Sequence, residues 1–155
     1  MSESFDVNIE MVSQARYLCV ARSAVAAAVE KYGFDHDAVG QVMLAVDEAV
    51  TNVIRHGYDS AEDQPVWVRV APRGPGGSPG FTIVVEDRGK QVDPAEIRGR
   101  DLEEVRPGGL GVHIIREVMD EVGYARREGG GMRLTMAKRL APAEATRDAR
   151  EGKHR

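Results

Sequence analysis

The chain has 155 residues, of which 42% are hydrophobic and 30% charged: the length of one domain and the composition of a globular protein that buries a core. Its net charge of −4 argues against a general nucleic-acid binder, and the short basic pairs Arg126-Arg127 and Lys138-Arg139 do not reverse that balance. Cys19 is the only cysteine, which excludes an intrachain disulfide and a zinc-thiolate cluster; its apolar surroundings predict a buried, inert thiol.

The opening MSESFDVNIE lacks a charged-then-apolar leader pattern, and no apolar run approaches the roughly 18 residues that span a bilayer. A reducing cytoplasm is therefore the expected location. Residues 5–11 alternate apolar and polar side chains, as an opening strand with one buried face would. Residues 14–32 are rich in Ala, Val and Leu and stop at Lys31-Tyr32-Gly33, a helix with a glycine end. Asp35 is placed to cap a second helix, carried by Val39, Val42, Met43, Val46, Val50, Val53 and Ile54 and ending at His56-Gly57. Residues 66–70 and 81–86 read as strands joined by the Gly/Pro-rich stretch 73–80.

Periodicity fails from Asp87 to Gly111, where Pro94, Pro107 and five glycines interrupt the chain. A short helix is predicted over residues 112–122, then strands over 124–128 and 132–139 around Gly129-Gly130-Gly131. The polar stretch 141–155 is expected to fray, leaving a folded unit over residues 1–140. The order of elements predicts an α+β two-layer sandwich with helices on one face of a mixed, mainly antiparallel sheet.

Three stretches combine chemistry with awkward placement. Glu48, Asn52 and His56 recur every fourth residue and so share one helical face beside an apolar stripe. A carboxylate there can accept a proton and an amide oxygen can face Mg²⁺, but a solvated helix edge reads equally well. Asp87 ends an apolar strand and is followed by Gly89; it either receives an exocyclic base amine or merely turns the chain. Pro107-Gly108-Gly109-Leu110-Gly111 runs into a helix, as a phosphate cradle or a hinge. It is neither a P-loop nor a Rossmann fingerprint. The four histidines show no metal-ligand spacing, and no serine has a nucleophile-elbow context.

In order and spacing, EAVTNVIRHGY, VEDRGKQVDP and GGLGVHIIREVMDEV resemble the asparagine box and two glycine boxes of the GHKL (Bergerat-fold) ATPases. The wording is closest to the bacterial anti-sigma factor serine/threonine kinases, the RsbW/SpoIIAB-like group, over residues 14–139. The resemblance implies ATP and Mg²⁺ as cofactors, with Asn52 as the metal ligand and Glu48 as the general base. It implies that Asp87 and Thr135 meet the adenine edge and that Gly89 lets the base lie against backbone. Gly108, Gly109, Leu110 and Gly111 would then approach the phosphates, with His56 on the phosphate side.

It further implies a cytoplasmic bacterial homodimer that phosphorylates a STAS-domain anti-anti-sigma protein and binds a sigma factor, touching neither nucleic acid nor membrane. Two alternatives remain at this point: a nucleotide-binding partner-switch regulator without phosphotransfer, and a kinase with a non-sigma target. One departure stands out, because Gln91 occupies the place of the second glycine in the usual Asp-x-Gly-x-Gly box.

Overall fold

A computed structural model describes residues 3–73, 79–97 and 110–141. Within them lie strand β1 (Val7–Val12), helix α1 (Leu18–Lys31), helix α2 (His36–Asn52), strands β2 (Pro65–Pro72) and β3 (Gly80–Glu86), helix α3 (Leu110–Val118) and strands β4 (Glu121–Arg126) and β5 (Met132–Arg139). The strands form one sheet in the order β1-β2-β3-β5-β4, and every pairing in it is antiparallel. The expected tail beyond residue 141 and most of the Gly/Pro-rich stretch between β2 and β3 fall outside the described residues.

The core follows from two periods. Val66, Val68 and Val70 of β2, Phe81, Ile83 and Val85 of β3, and Leu134 and Met136 of β5 alternate onto one face of the sheet. Against them pack Ala21, Val25, Ala28 and Val29 of α1, Val42, Ala45, Val46, Ala49 and Val50 of α2, and Ile115 of α3, at helical spacing. The expected two-layer sandwich is therefore present. Gly33 takes φ +96° to end α1, and Asp35 accepts a hydrogen bond from the Ala38 amide (2.9 Å) to start α2.

Two expectations need correction. Cys19 is exposed, not buried. A 3₁₀ turn over Ala15–Tyr17 precedes α1, and the helical phase that buries Ala21, Val25 and Ala28 turns Cys19 outward with Ser23 and Ala27. The third helix ends at Val118, short of residue 122, and the following strand begins at Glu121. There the Asp120 amide donates to the Ala137 carbonyl (2.9 Å), and the Asp120 carboxylate accepts from the Arg139 amide (2.7 Å). Pairing with β5 thus overrides the local helical pattern.

Candidate nucleotide site

Helix α2 does not stop at Asn52 but widens into a π-helical turn over Val53–Gly57, with the Tyr58 amide bonded to the Val53 carbonyl (3.0 Å) and the Ser60 amide to that of Ile54 (2.8 Å). Its inward stripe is buried, Glu48 and Asn52 are half-buried at its margin, and His56 is exposed beyond them. Tyr58, buried behind this turn, donates its hydroxyl to the Pro65 carbonyl (2.5 Å) and accepts from the Arg88 amide (2.7 Å). The phenol therefore fixes the chain just after β3 to the start of β2.

That chain carries Asp87, which is only 4% exposed. Its Oδ1 accepts from the Gly89 amide (2.7 Å) and the Met132 amide (3.3 Å), while no donor among the described residues reaches Oδ2. Burial holds the carboxyl above its usual pKa; the two backbone N–H groups and Arg127 oppose that rise, and Glu86 adds to it. Gly89 is required by contact: a Cβ there would stand 2.2 Å from the Gly57 carbonyl oxygen. At Gly57 a Cβ would meet the Asp87 carboxylate at 3.7 Å, an ordinary contact, so the close approach here constrains Gly89 and not Gly57.

The neighbouring Glu86 points to the other face of the sheet, as strand alternation requires. It is 5% exposed and fully paired, with Arg69 (2.8 Å) and Arg133 (3.1 Å) on Oε1 and Arg127 (2.6 Å) on Oε2.

A cavity of about 410 Å³ opens between the helices and the end of the sheet, within the size range of small-ligand sites. Asn52, His56, Gly57 and Asp87 line it on one side, and Val85, Met132, Leu134 and Tyr124 line it along the sheet. Val112 closes it from α3, with Lys90, Glu96 and Ile97 also lining it. Lys90 is committed to Asp59 at 2.7 Å. An apolar slot with one desolvated carboxylate at its end suits a flat heterocycle bearing an amine.

Beside the cavity, α3 starts against α2. A Cβ on Gly111 would lie 2.5 Å from Glu48 Oε2 and 3.4 Å from Asn52 Nδ2, so the first turn of α3 rests directly on the polar row. Neither Glu48 nor Asn52 makes a side-chain hydrogen bond among the described residues, and free amides at a helix N-terminus favour an anion. Leu110, at the first position of α3, is exposed. Gly108 and Gly109 lie outside the described residues.

The structure thus brings Asn52, His56 and Asp87 to one cavity, sets Glu48 and Gly111 beside it, and uses Gly89 to close the turn behind it. Thr135 is the exception. It stands on the opposite face of the sheet with Thr82, Val84 and Gly123, lining a separate hollow of about 960 Å³. From Gly131 onward the residues facing the cavity are Met132 and Leu134, so two-residue alternation turns Thr135 away. Sequence reasoning also missed Tyr124, which is paired in register with Leu134 and carries the same inward direction.

Residues 11–138 match the family described as histidine kinase-like ATPase domain. The chain belongs to this family. It is 26% identical over 140 residues to the serine-protein kinase RsbW of Listeria innocua, covering 83% of this chain and 85% of that protein. It is 31% identical over 138 residues to the anti-sigma F factor of Clostridium beijerinckii, covering 86% and 94%. These relatives set it in the RsbW/anti-sigma F factor group of the family. The crystal structure of the RsbU and RsbW domains of Rv1364c from Mycobacterium tuberculosis shares the fold, with TM-score 0.60 and 20% identity over 86% of this chain and 31% of that one. The family's description is that of an ATPase domain, and the Listeria and Clostridium relatives carry the names of a serine-protein kinase and an anti-sigma factor.

Proposed function

We propose that the protein is an ATP- and Mg²⁺-dependent serine/threonine kinase that phosphorylates a STAS-domain anti-anti-sigma protein and, in the alternate state of a partner switch, binds a sigma factor. The observation that carries this reading is the convergence of groups with no hydrogen-bond partner among the described residues: Asp87 Oδ2 and Asn52 in one pocket, and Glu48 beside it under the first turn of α3. The relatives named serine-protein kinase RsbW and anti-sigma F factor support the substrate class and the sigma partner. The homodimer and the cytoplasmic location follow from the same resemblance; among the described residues no helix is long and apolar enough to cross a membrane.

In this reading Asp87 Oδ2 accepts the 6-amino group of adenine, while Met132, Leu134 and Val112 hold the ring's faces. The triphosphate runs toward the amides of α3, past Asn52. The described residues contain no cluster of three His, Cys, Asp or Glu side chains able to hold a metal by themselves, and Asn52 offers one hard oxygen. That donor set fits Mg²⁺ carried on phosphate oxygens rather than caged by protein, and the ion, when bound, offsets phosphate charge. Glu48 takes the proton of the partner's serine or threonine hydroxyl as that oxygen bonds to the γ-phosphorus. The bond from the γ-phosphorus to the β–γ bridging oxygen breaks, and ADP keeps the electron pair. His56, exposed at the cavity rim, is assigned a phosphate-side contact.

The test is transfer of labelled γ-phosphate to a STAS protein from the native host, with Glu48→Ala as control. Transfer that depends on Glu48 is expected. Binding of ATP with no transfer to any STAS candidate would replace the kinase reading with that of a nucleotide-binding regulator. Transfer only to an unrelated target would leave the kinase and remove the sigma switch.

A further inference from the structure

Gln91 stands where the glycine box ordinarily has its second glycine, and the amide nitrogen of its exposed side chain makes two hydrogen bonds. Its Nε2 donates to the Arg127 carbonyl (2.7 Å) and to the Gly131 carbonyl (3.1 Å), the two ends of the turn that joins β4 to β5. Two carbonyl oxygens at that spacing demand a donor, so the amide nitrogen, not its oxygen, faces the turn.

The turn is closed by the Arg127 amide on the Gly131 carbonyl (2.9 Å) and the Gly130 amide on the Arg127 carbonyl (3.3 Å). Gly129, Gly130 and Gly131 all take positive φ (+86°, +114° and +84°), and three consecutive glycines carry few steric limits on the backbone, so a side chain that bonds both ends of the turn adds to those two bonds. Yet its position is critical to Asp87. A Cβ on Gly131 would lie 1.9 Å from the Asp87 carbonyl oxygen, and the next amide, that of Met132, bonds Asp87 Oδ1. From the other side Arg127 donates to the Asp87 carbonyl (2.8 Å) while its Nε pairs with Glu86. The Arg126 Nε bonds the Val92 carbonyl (3.3 Å), adding a second tie between β4 and the Gln91 segment.

We propose that Gln91 is a positioning residue for base selection: by clamping the Arg127–Gly131 turn it fixes the Met132 amide on Asp87 Oδ1 and so aims Oδ2 at the amine of the bound base. The inference rests on the nucleotide reading above. It assigns to Gln91 no contact with the nucleotide and no part in the chemistry.

The experiment uses the full chain with Gln91→Met, which keeps the length and removes the donor, Gln91→Glu, which leaves only acceptors, and Gln91→Lys, which restores a donor. Dissociation constants for ATP and for inosine triphosphate, which carries a carbonyl in place of the 6-amino group, are measured by displacement of a fluorescent nucleotide. Hydrogen exchange of the Met132 amide is followed without nucleotide. Gln91→Met and Gln91→Glu are expected to weaken ATP about three- to tenfold, the span of one or two exposed hydrogen bonds, and to leave inosine triphosphate within about twofold. Discrimination therefore narrows, the Met132 amide exchanges faster, and Gln91→Lys recovers part of both.

Equal weakening of both nucleotides, or an unchanged ratio with unchanged Met132 exchange, overturns the proposal. Wild-type protein that binds neither nucleotide overturns the nucleotide reading and the proposal with it. In that case faster Met132 exchange in Gln91→Met would still identify the clamp as purely structural.

Discussion

Gly111 and Glu48 are in contact across the α2–α3 interface, with no room for a methyl group between the Gly111 backbone and the Glu48 carboxylate. The obstructing atom is the far end of a flexible side chain, so Gly111→Ala is expected to fold, with Glu48 swung aside. Alanine also suits a helix better than glycine by up to about 1 kcal/mol, which offsets the crowding. Stability should stay within about 1 kcal/mol of wild type while γ-phosphate transfer falls roughly 10- to 100-fold through misplacement of Glu48. A thermal melt beside a transfer assay checks both; full activity in the alanine variant would remove Glu48 from the reaction.

Glu48→Gln separates two roles for the carboxylate. If Glu48 accepts the hydroxyl proton, the isosteric amide lowers the transfer rate about 10²- to 10⁴-fold and leaves the ATP dissociation constant within roughly twofold. Parallel loss of transfer and ATP affinity would show that the side chain holds nucleotide instead. Single-turnover transfer and equilibrium binding on the same preparation decide between them.

Asp87 opposes stability to binding. Burial raises its pKa, so the folded state holds the proton more tightly than the unfolded chain does. The resulting stabilisation is complete below the unfolded value and is lost as pH rises through the raised folded value. ATP binding has the opposite sign, because only the ionised Oδ2 accepts freely from the base amine. Acidification from about pH 7 toward pH 4 is therefore expected to weaken ATP binding while relieving the nucleotide-free fold of a buried charge. Asp87→Asn should melt at or above the wild-type temperature without ATP, since its amide oxygen still accepts from Gly89 and Met132. It should lose ATP affinity, because an amide nitrogen then faces the base amine. A variant that binds ATP normally would move base recognition elsewhere in the cavity.

ATP with Mg²⁺ at about 100 times its dissociation constant should stabilise the wild-type protein by roughly 2.7 kcal/mol. Asn52→Ala is expected to lose most of the part of that gain that depends on the metal, while the nucleotide-free melt barely moves, since the Asn52 side chain is half-buried and makes no hydrogen bond within the described residues. Melting curves with ATP, ATP and Mg²⁺, and neither would test this; identical Mg²⁺ responses in the two proteins would dismiss Asn52 as a ligand.

The sequence made the site legible wherever local period and special residues coincide. Four-residue spacing placed Glu48 and Asn52 on one face of α2, and Asp87 ends its strand as the apolar run before it implies. It misled where a nonlocal partner decides. The family resemblance puts Thr135 at the adenine edge, but strand alternation set by pairing with β3 and β4 points it away from the cavity and leaves Met132 in its place. Cys19 sits in an apolar stretch, yet which helical phase is buried depends on the sheet beneath and on where the 3₁₀ turn gives way to α1. Glu121 and Val122 continue a pattern that suits helix and strand alike, and only the β5 edge selects the strand.

The adjacent acids at the end of β3 have a consequence for how the sheet assembles. A slip of one residue in that strand would carry Glu86 into the cavity and set Asp87 among Arg69, Arg127 and Arg133, with a shorter side chain to meet them. The three arginines are partly exposed and Glu86 alone is buried, so weakening one such charged hydrogen bond costs about 1.5–3 kcal/mol, still a sizeable part of the stability of a small domain. Glu86 and its arginines thus act as a proofreading mark on strand register: the chain reaches its low-energy sheet only in the alignment that also delivers Asp87 to the pocket.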